Sequence, residues 1–261
     1  MASGCSIMKD MNSLSEKTKH LLLAAAAPAL LIGTVSALLH HLASGLDAEL
    51  YGSLFSLGVI VLVLLLRKKN LPENLGLAQG SWQDCLQAAA MSFAYAAAIG
   101  IVPELLNAPS TLLDAVSLPT SDLMSTSMLP FLAAQLLILP LAQELCLRVL
   151  CTDHLRQVWT AEPVLLISAL LSALYGSLRA GLYGALLAFL LGFLYALLYE
   201  KTESAWSALC AHTGGTLGIL SAYPAQVLDR WLLITLAVFL FAAAVFLILH
   251  RLNKTEEDNP Q

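Results

Sequence analysis

The sequence predicts an all-α fold: a polytopic bundle of about eight membrane-spanning helices with both termini cytoplasmic. Three observations predict it. Of the 261 residues, 58% are hydrophobic and 12% are charged, where soluble domains carry about 25% charged residues. The apolar residues fall into runs of membrane length separated by short polar stretches. Eleven of the thirteen Lys and Arg residues then sort to one side of those runs.

Residues 1–19 are polar, carry Lys9, Lys17 and Lys19, and read as a cytoplasmic segment with no cleavable signal. The single transmembrane bundle is expected over 20–250. Its helices are predicted near 20–43, 50–66, 84–106, 128–150, 163–178, 181–199, 204–222 and 230–250. Residues 70–83 form an inner loop that places Trp82 at the interface. Residues 107–127 form the longest outer loop, without a basic residue. A polar tail, 251–261, completes the cytoplasmic side. With the amino terminus inside, eleven basic residues lie on the inner side, and Arg179 and Arg230 stay outside. Adding or removing one helix would scramble that division.

The sixth helix carries Ala180, Gly184, Ala188 and Gly192 at four-residue intervals, a smooth face against which another helix can approach. The five cysteines contain no CxxC pair, so neither a disulfide framework nor a zinc knuckle is expected. Cys146, Cys151 and Cys210 read as small packing residues. The scattered basic residues give no nucleic-acid surface, and no cofactor motif or metal-ligand set is expected.

Chemistry concentrates in the fourth, fifth and seventh helices. LPLAQELCLRVLC, Leu139 to Cys151, sets Glu144 and Arg148 four residues apart in an apolar run, with Gln143 beside them. Each charge costs about 2.5–3.5 kcal/mol at the centre of a membrane helix, so such residues face a partner inside the bundle. Pro140, one turn before Glu144, withholds an amide hydrogen and can kink the helix, freeing backbone carbonyls near the charged turn. Tyr175 lies on the fifth helix and His212 on the seventh, followed by Thr213, Gly214, Gly215 and Thr216. Helices four and seven run in opposite directions, and Glu144 and His212 each lie about two turns from an inner end. A shared depth is therefore expected. Taken alone, the same residues fit structural roles: a register-fixing ion pair, a packed tyrosine and an interhelical hydrogen-bonding histidine.

The order and spacing of these residues resemble the CAAX protease and bacteriocin-processing (CPBP, or ABI) family, which includes the type II prenyl-protein endoproteases. The resemblance covers about 125–222. The family pattern EExxxR corresponds to Gln143-Glu144-Leu-Cys-Leu-Arg148, FxxxH to Leu171-Ser-Ala-Leu-Tyr175, and HxxxN to His212-Thr-Gly-Gly-Thr216. The resemblance implies that Gln143 and Tyr175 stand where the family has its water-activating Glu and His. It also implies that His212 and Thr216 stand where the family stabilises an oxyanion. A glutamine amide takes no proton at neutral pH, and tyrosine is a poor base there. Loss of both groups removes general-base catalysis worth roughly 10²–10⁴-fold. Glu144 is turned about 100° from Gln143 on a regular helix and aims at a different neighbour unless Pro140 re-phases the turn.

The leading expectation is a catalytically impaired intramembrane protease homologue of the bacterial inner membrane. Its partner would be a membrane protein or peptide, lipidated or extended, met within the bilayer. An active endopeptidase using Glu144 and His212, with Arg148 beside them, is the alternative. A transporter is a third reading, disfavoured because the polar groups gather toward one side.

Overall fold

In the computed structural model, the described residues are 15–19, 46–66, 81–105 and 132–222, with residues 236, 238, 240, 241, 243 and 245. All the regular structure among them is helical. The first and eighth predicted helices, the 107–127 loop and the 251–261 tail lie outside the described residues, apart from isolated positions of the eighth helix. The helix count and the side on which each terminus lies therefore rest on the sequence.

Helix α1 spans Leu46–Leu66 and α2 spans Trp82–Leu105. Ser81 starts α2 with a capping box. Its Oγ accepts from the Asp84 amide at 3.1 Å, and the Asp84 carboxylate accepts from the Ser81 amide at 3.2 Å. This satisfies amides that a helix start leaves free. Trp82 follows at once and is exposed.

Helix α3, Ala134–Cys151, is the centre of the bundle: 72% of it is buried, against 44% for the α2 span and 39% for the sixth. It is not a uniform α-helix. Ala134–Ile138 and Leu145–Cys151 are π-helical, and a short α-helical stretch, Leu139–Glu144, lies between them. A short helix, α4 (Thr152–Arg156), continues it.

Helical backbone then runs from Ala161 to Thr202. A straight helix of that length would reach about 63 Å, with Ser168 and Gly192 about 36 Å apart. Both residues nevertheless contact one guanidinium, that of Arg148. The segment is a hairpin of α5 (Ala161–Ser177) and α6 (Gly181–Thr202). Gly181, at φ 58°, makes the reversal in a left-handed conformation that glycine adopts without strain. The predicted small face of α6 is used against α5. A side chain at Gly176 would collide with Gly184 and Ala188, and one at Gly192 would collide with Ser172.

Helix α7, Ala205–Ala222, follows a tight turn in which Glu203 is left-handed and its amide donates to the Tyr199 carbonyl at 2.8 Å. Side chains added at Gly214 and Gly218 would strike Ala89 and Phe93 respectively. Each pair is offset by 125 positions, so α2 and α7 run parallel at close range. Parallel α2 and α7 and antiparallel α5 and α6 are the relations that the predicted order of crossings requires. The apolar core joins Ile60 of α1, Val149 of α3, Tyr199 of α6 and Ala208 of α7. A second cluster joins Met91 of α2, Leu194 of α6 and Ala211 of α7. The chain is thus a helical membrane bundle, with α3, α6 and α7 meeting at its middle.

Candidate functional site

At that meeting point lies a buried charged cluster. Glu144 ends the α-helical stretch of α3, and Arg148 stands one turn further on, within the second π-helical stretch. Both are 1% exposed. The guanidinium donates from Nη1 to Ser168 Oγ at 2.8 Å and from Nη2 to the Gly192 carbonyl at 3.0 Å. Its Nε lies 3.1 Å from Glu144 Oε2. That approach is an ion pair without the alignment of a hydrogen bond. One arginine therefore ties α3 to both arms of the α5–α6 hairpin. A buried cation needs this number of partners, because desolvation exceeds what a single ion pair returns.

The other carboxylate oxygen, Glu144 Oε1, is 2.8 Å from Nδ1 of His212 on α7. An ionised Glu144 accepts a hydrogen bond there, which places the imidazole proton on Nδ1. Nε2 is then the ring nitrogen that Glu144 does not engage. The side chain of His212 is 17% exposed, against 2% for Glu144. Anything approaching the cluster meets the imidazole before the carboxylate. Tyr195 of α6 stacks on the His212 ring with centroids 4.9 Å apart and planes at 24°. Gly215 leaves the space in which the Tyr195 hydroxyl and Ser92 Oγ of α2 sit.

Pro140 has its own compensation. The carbonyl four residues before it is Leu136, which a proline cannot serve with an N–H. Thr213 Oγ1 donates to that carbonyl at 2.8 Å. The proline on α3 and the threonine next to His212 thus form a matched pair that fixes α7 against α3. Widened π-helical turns on both sides of Leu139–Glu144 alter the phase of α3. Glu144, rather than Gln143, meets His212 in this phase.

Gln143 is buried beside Glu144. Thr216 donates to the His212 carbonyl at 3.1 Å, a bond within its own helix. Tyr175 lies on α5, seven residues or about two turns beyond Ser168. The cluster comprises Glu144, Arg148 and His212; the contacts that define it include neither Gln143, Tyr175 nor Thr216. Tyr195, Ser168 and the Gly192 carbonyl contact it; the sequence did not single out the first two and marked Gly192 only as part of a packing face. Tyr195 reads there as one aromatic in an apolar helix. The one available signal was its place three residues after Gly192, on the small-faced helix. Among the described residues, no group of three or more His, Cys, Asp and Glu side chains could hold a metal ion.

Residues 125–218 match the family model described as type II CAAX prenyl endopeptidase Rce1-like. This part of the chain is CAAX-protease-like. The Rce1-like segment contains α3, the α5–α6 hairpin and most of α7, so it supplies all three residues of the charged cluster. No curated protein and no solved structure matches the chain. Within the same segment, Arg156 of α4 pairs with Glu200 of α6. Burial works against the Arg156 charge, but the hydrogen bond and charge of Glu200 outweigh it and raise its pKa.

Proposed function

We propose that this CAAX-protease-type membrane protein is a catalytically impaired homologue that binds a membrane-embedded protein or peptide, lipidated or extended, rather than cutting it. The observation that carries this reading is the occupation of Glu144. Its two oxygens face His212 and Arg148, and the side chain is 2% exposed. A general base must come within about 2.6–3.2 Å of the proton it removes. Glu144 instead serves as the anion that orients an imidazole and neutralises a guanidinium. Gln143, beside it, cannot accept a proton at neutral pH. The arrangement leaves neither Glu144 nor Gln143 free to activate water, and the basic atom that remains is Nε2 of His212. The bacterial inner membrane is part of the same proposal.

The test reconstitutes the purified protein in nanodiscs with a panel of prenylated and unmodified membrane peptides. Capture without cleavage is the expected result, with capture surviving in His212→Gln. A second reading, an active endopeptidase, draws on the 2.8 Å contact between Glu144 and His212. It requires cleavage that stops in both Glu144→Gln and His212→Ala while each variant remains folded. That outcome would replace the first reading.

A further inference from the structure

We infer that Cys85 on α2 and Cys210 on α7 form a reversible dithiol–disulfide pair, open to exchange with small-molecule disulfides. The two thiols neighbour each other and are both free and partly buried. Their position follows from the helix register. Cys85 and Cys210 are offset by 125 positions, the same offset that relates Ala89 to Gly214 and Phe93 to Gly218 across the parallel α2–α7 contact. A side chain at Gly214 would enter the Ala89 main chain, so the two backbones come into direct contact here, as small residues allow. The cysteines lie one turn, about 6 Å, from this approach. A disulfide requires Cα atoms about 4.4–6.8 Å apart, which favours cysteines at paired positions of two closely packed helices.

Access differs among the cysteines. Cys85 is three residues after the exposed Trp82, at the start of α2. Cys146 and Cys151 are buried within α3.

The exchange balances with a low-molecular-weight disulfide such as oxidised glutathione as oxidant. The Cys85 thiolate attacks one of its sulfurs, forming a mixed disulfide and expelling a glutathione thiolate. The Cys210 thiolate attacks the Cys85 sulfur, forming the protein disulfide and expelling the second glutathione thiolate. The two protons lost by the cysteines end on the two glutathione thiols. The protein dithiol is oxidised and the small disulfide is reduced. The bond would pin to α2 the turn of α7 that precedes His212, two residues beyond Cys210. This inference is independent of whether the site binds or cleaves.

The experiment uses the full chain carrying Cys5→Ser, reconstituted in nanodiscs and equilibrated at rising ratios of oxidised to reduced glutathione. After quenching and alkylation, peptide mapping should show a Cys85–Cys210 link that grows with the ratio and disappears when reductant is added. Cys210→Ser should retain only a mixed disulfide on Cys85. As a second measurement, phenylarsine oxide, which bridges two neighbouring thiols, should bind once per reduced chain and not to Cys85→Ser or Cys210→Ser. Mixed disulfides without the internal link in the Cys5→Ser protein would overturn the inference. Equal arsenical binding by that protein and the two serine variants would do the same.

Discussion

Of the contacts that hold α7, those with α3 and with α2 work by opposite means. Against α3, it is held by charge and hydrogen bonds: Glu144 to His212, and Thr213 to the carbonyl that Pro140 leaves open. Against α2, it is held by close approach, with Gly214 and Gly218 laid on the Ala89 and Phe93 main chain. In lipid, apolar side chains gain little by leaving their surroundings, so helix association relies on packing and on polar contacts. The first contact specifies where one imidazole stands. The second brings whole turns together and has little power to orient a particular group. The comparison teaches that the polar contact carries the candidate chemistry, while the smooth one provides the support against which it is set.

The sharpest way to break the comparison is at Arg148. Arg148→Met leaves the Glu144 carboxylate buried beside His212 alone. It should cost roughly 3–5 kcal/mol, as removal of one member of a buried ion pair does. Chemical unfolding in detergent micelles reads this loss. The double variant Glu144→Met/Arg148→Met should cost less than the sum of the two single changes. Additive losses would show that the two charges do not act together.

On the smooth side, Gly214→Ala forces a methyl group into main chain that cannot rotate away. A cost of about 1–3 kcal/mol is expected, the range for overpacking, with α2 and α7 pushed apart. Cross-linking efficiency between cysteines introduced along the α2–α7 seam would report the separation. Unchanged stability and cross-linking would mean that the contact is looser than the geometry implies.

Thr213→Val tests the Pro140 compensation. It should cost about 1 kcal/mol, the value of one net hydrogen bond. Pro140→Ala restores an amide for the Leu136 carbonyl, so it should reduce the cost of the Thr213 change. A double-mutant cycle by unfolding measures this coupling, and zero coupling would separate the two residues. The smallest effect is expected away from both contacts. Gly58 of α1 is exposed, and a side chain there meets nothing within 4 Å. Gly58→Ala should stabilise the chain by about 0.5–1 kcal/mol through helix propensity alone. Destabilisation in the same assay would reveal a contact that α1 makes with another molecule.

Much of this fold was legible before the structure. The predicted helices at 50–66, 84–106, 163–178, 181–199 and 204–222 agree with α1, α2, α5, α6 and α7 to within about four residues at each end. Long apolar runs report themselves, because length and composition suffice to make a helix in lipid. The small residues of α6 announced close packing, although not that α5 was the partner. Glu144, Arg148 and His212 stood out because charge and imidazole are costly in an apolar run. The phase of α3 was not legible. A regular helix turns Glu144 about 100° from Gln143, and the π-helical turns that change the outcome have no simple periodic signature. Tyr195 was equally hidden, since an aromatic in an apolar helix looks the same whether it stacks on a histidine or on a leucine.

The sequence by itself determined an all-helical membrane protein, the helices of its core and the few polar residues that must find partners inside it. Tertiary structure alone decided which partners those are: Ser168 and the Gly192 carbonyl for Arg148, the Leu136 carbonyl for Thr213, and Glu144 rather than Gln143 for His212. The physical reason is the range of the forces involved. Helix formation in lipid is satisfied within a few neighbouring residues, whose order the chain states directly. A buried charge is satisfied only by groups many residues away, and which groups arrive depends on the turn-by-turn phase and crossing of helices that no local pattern records.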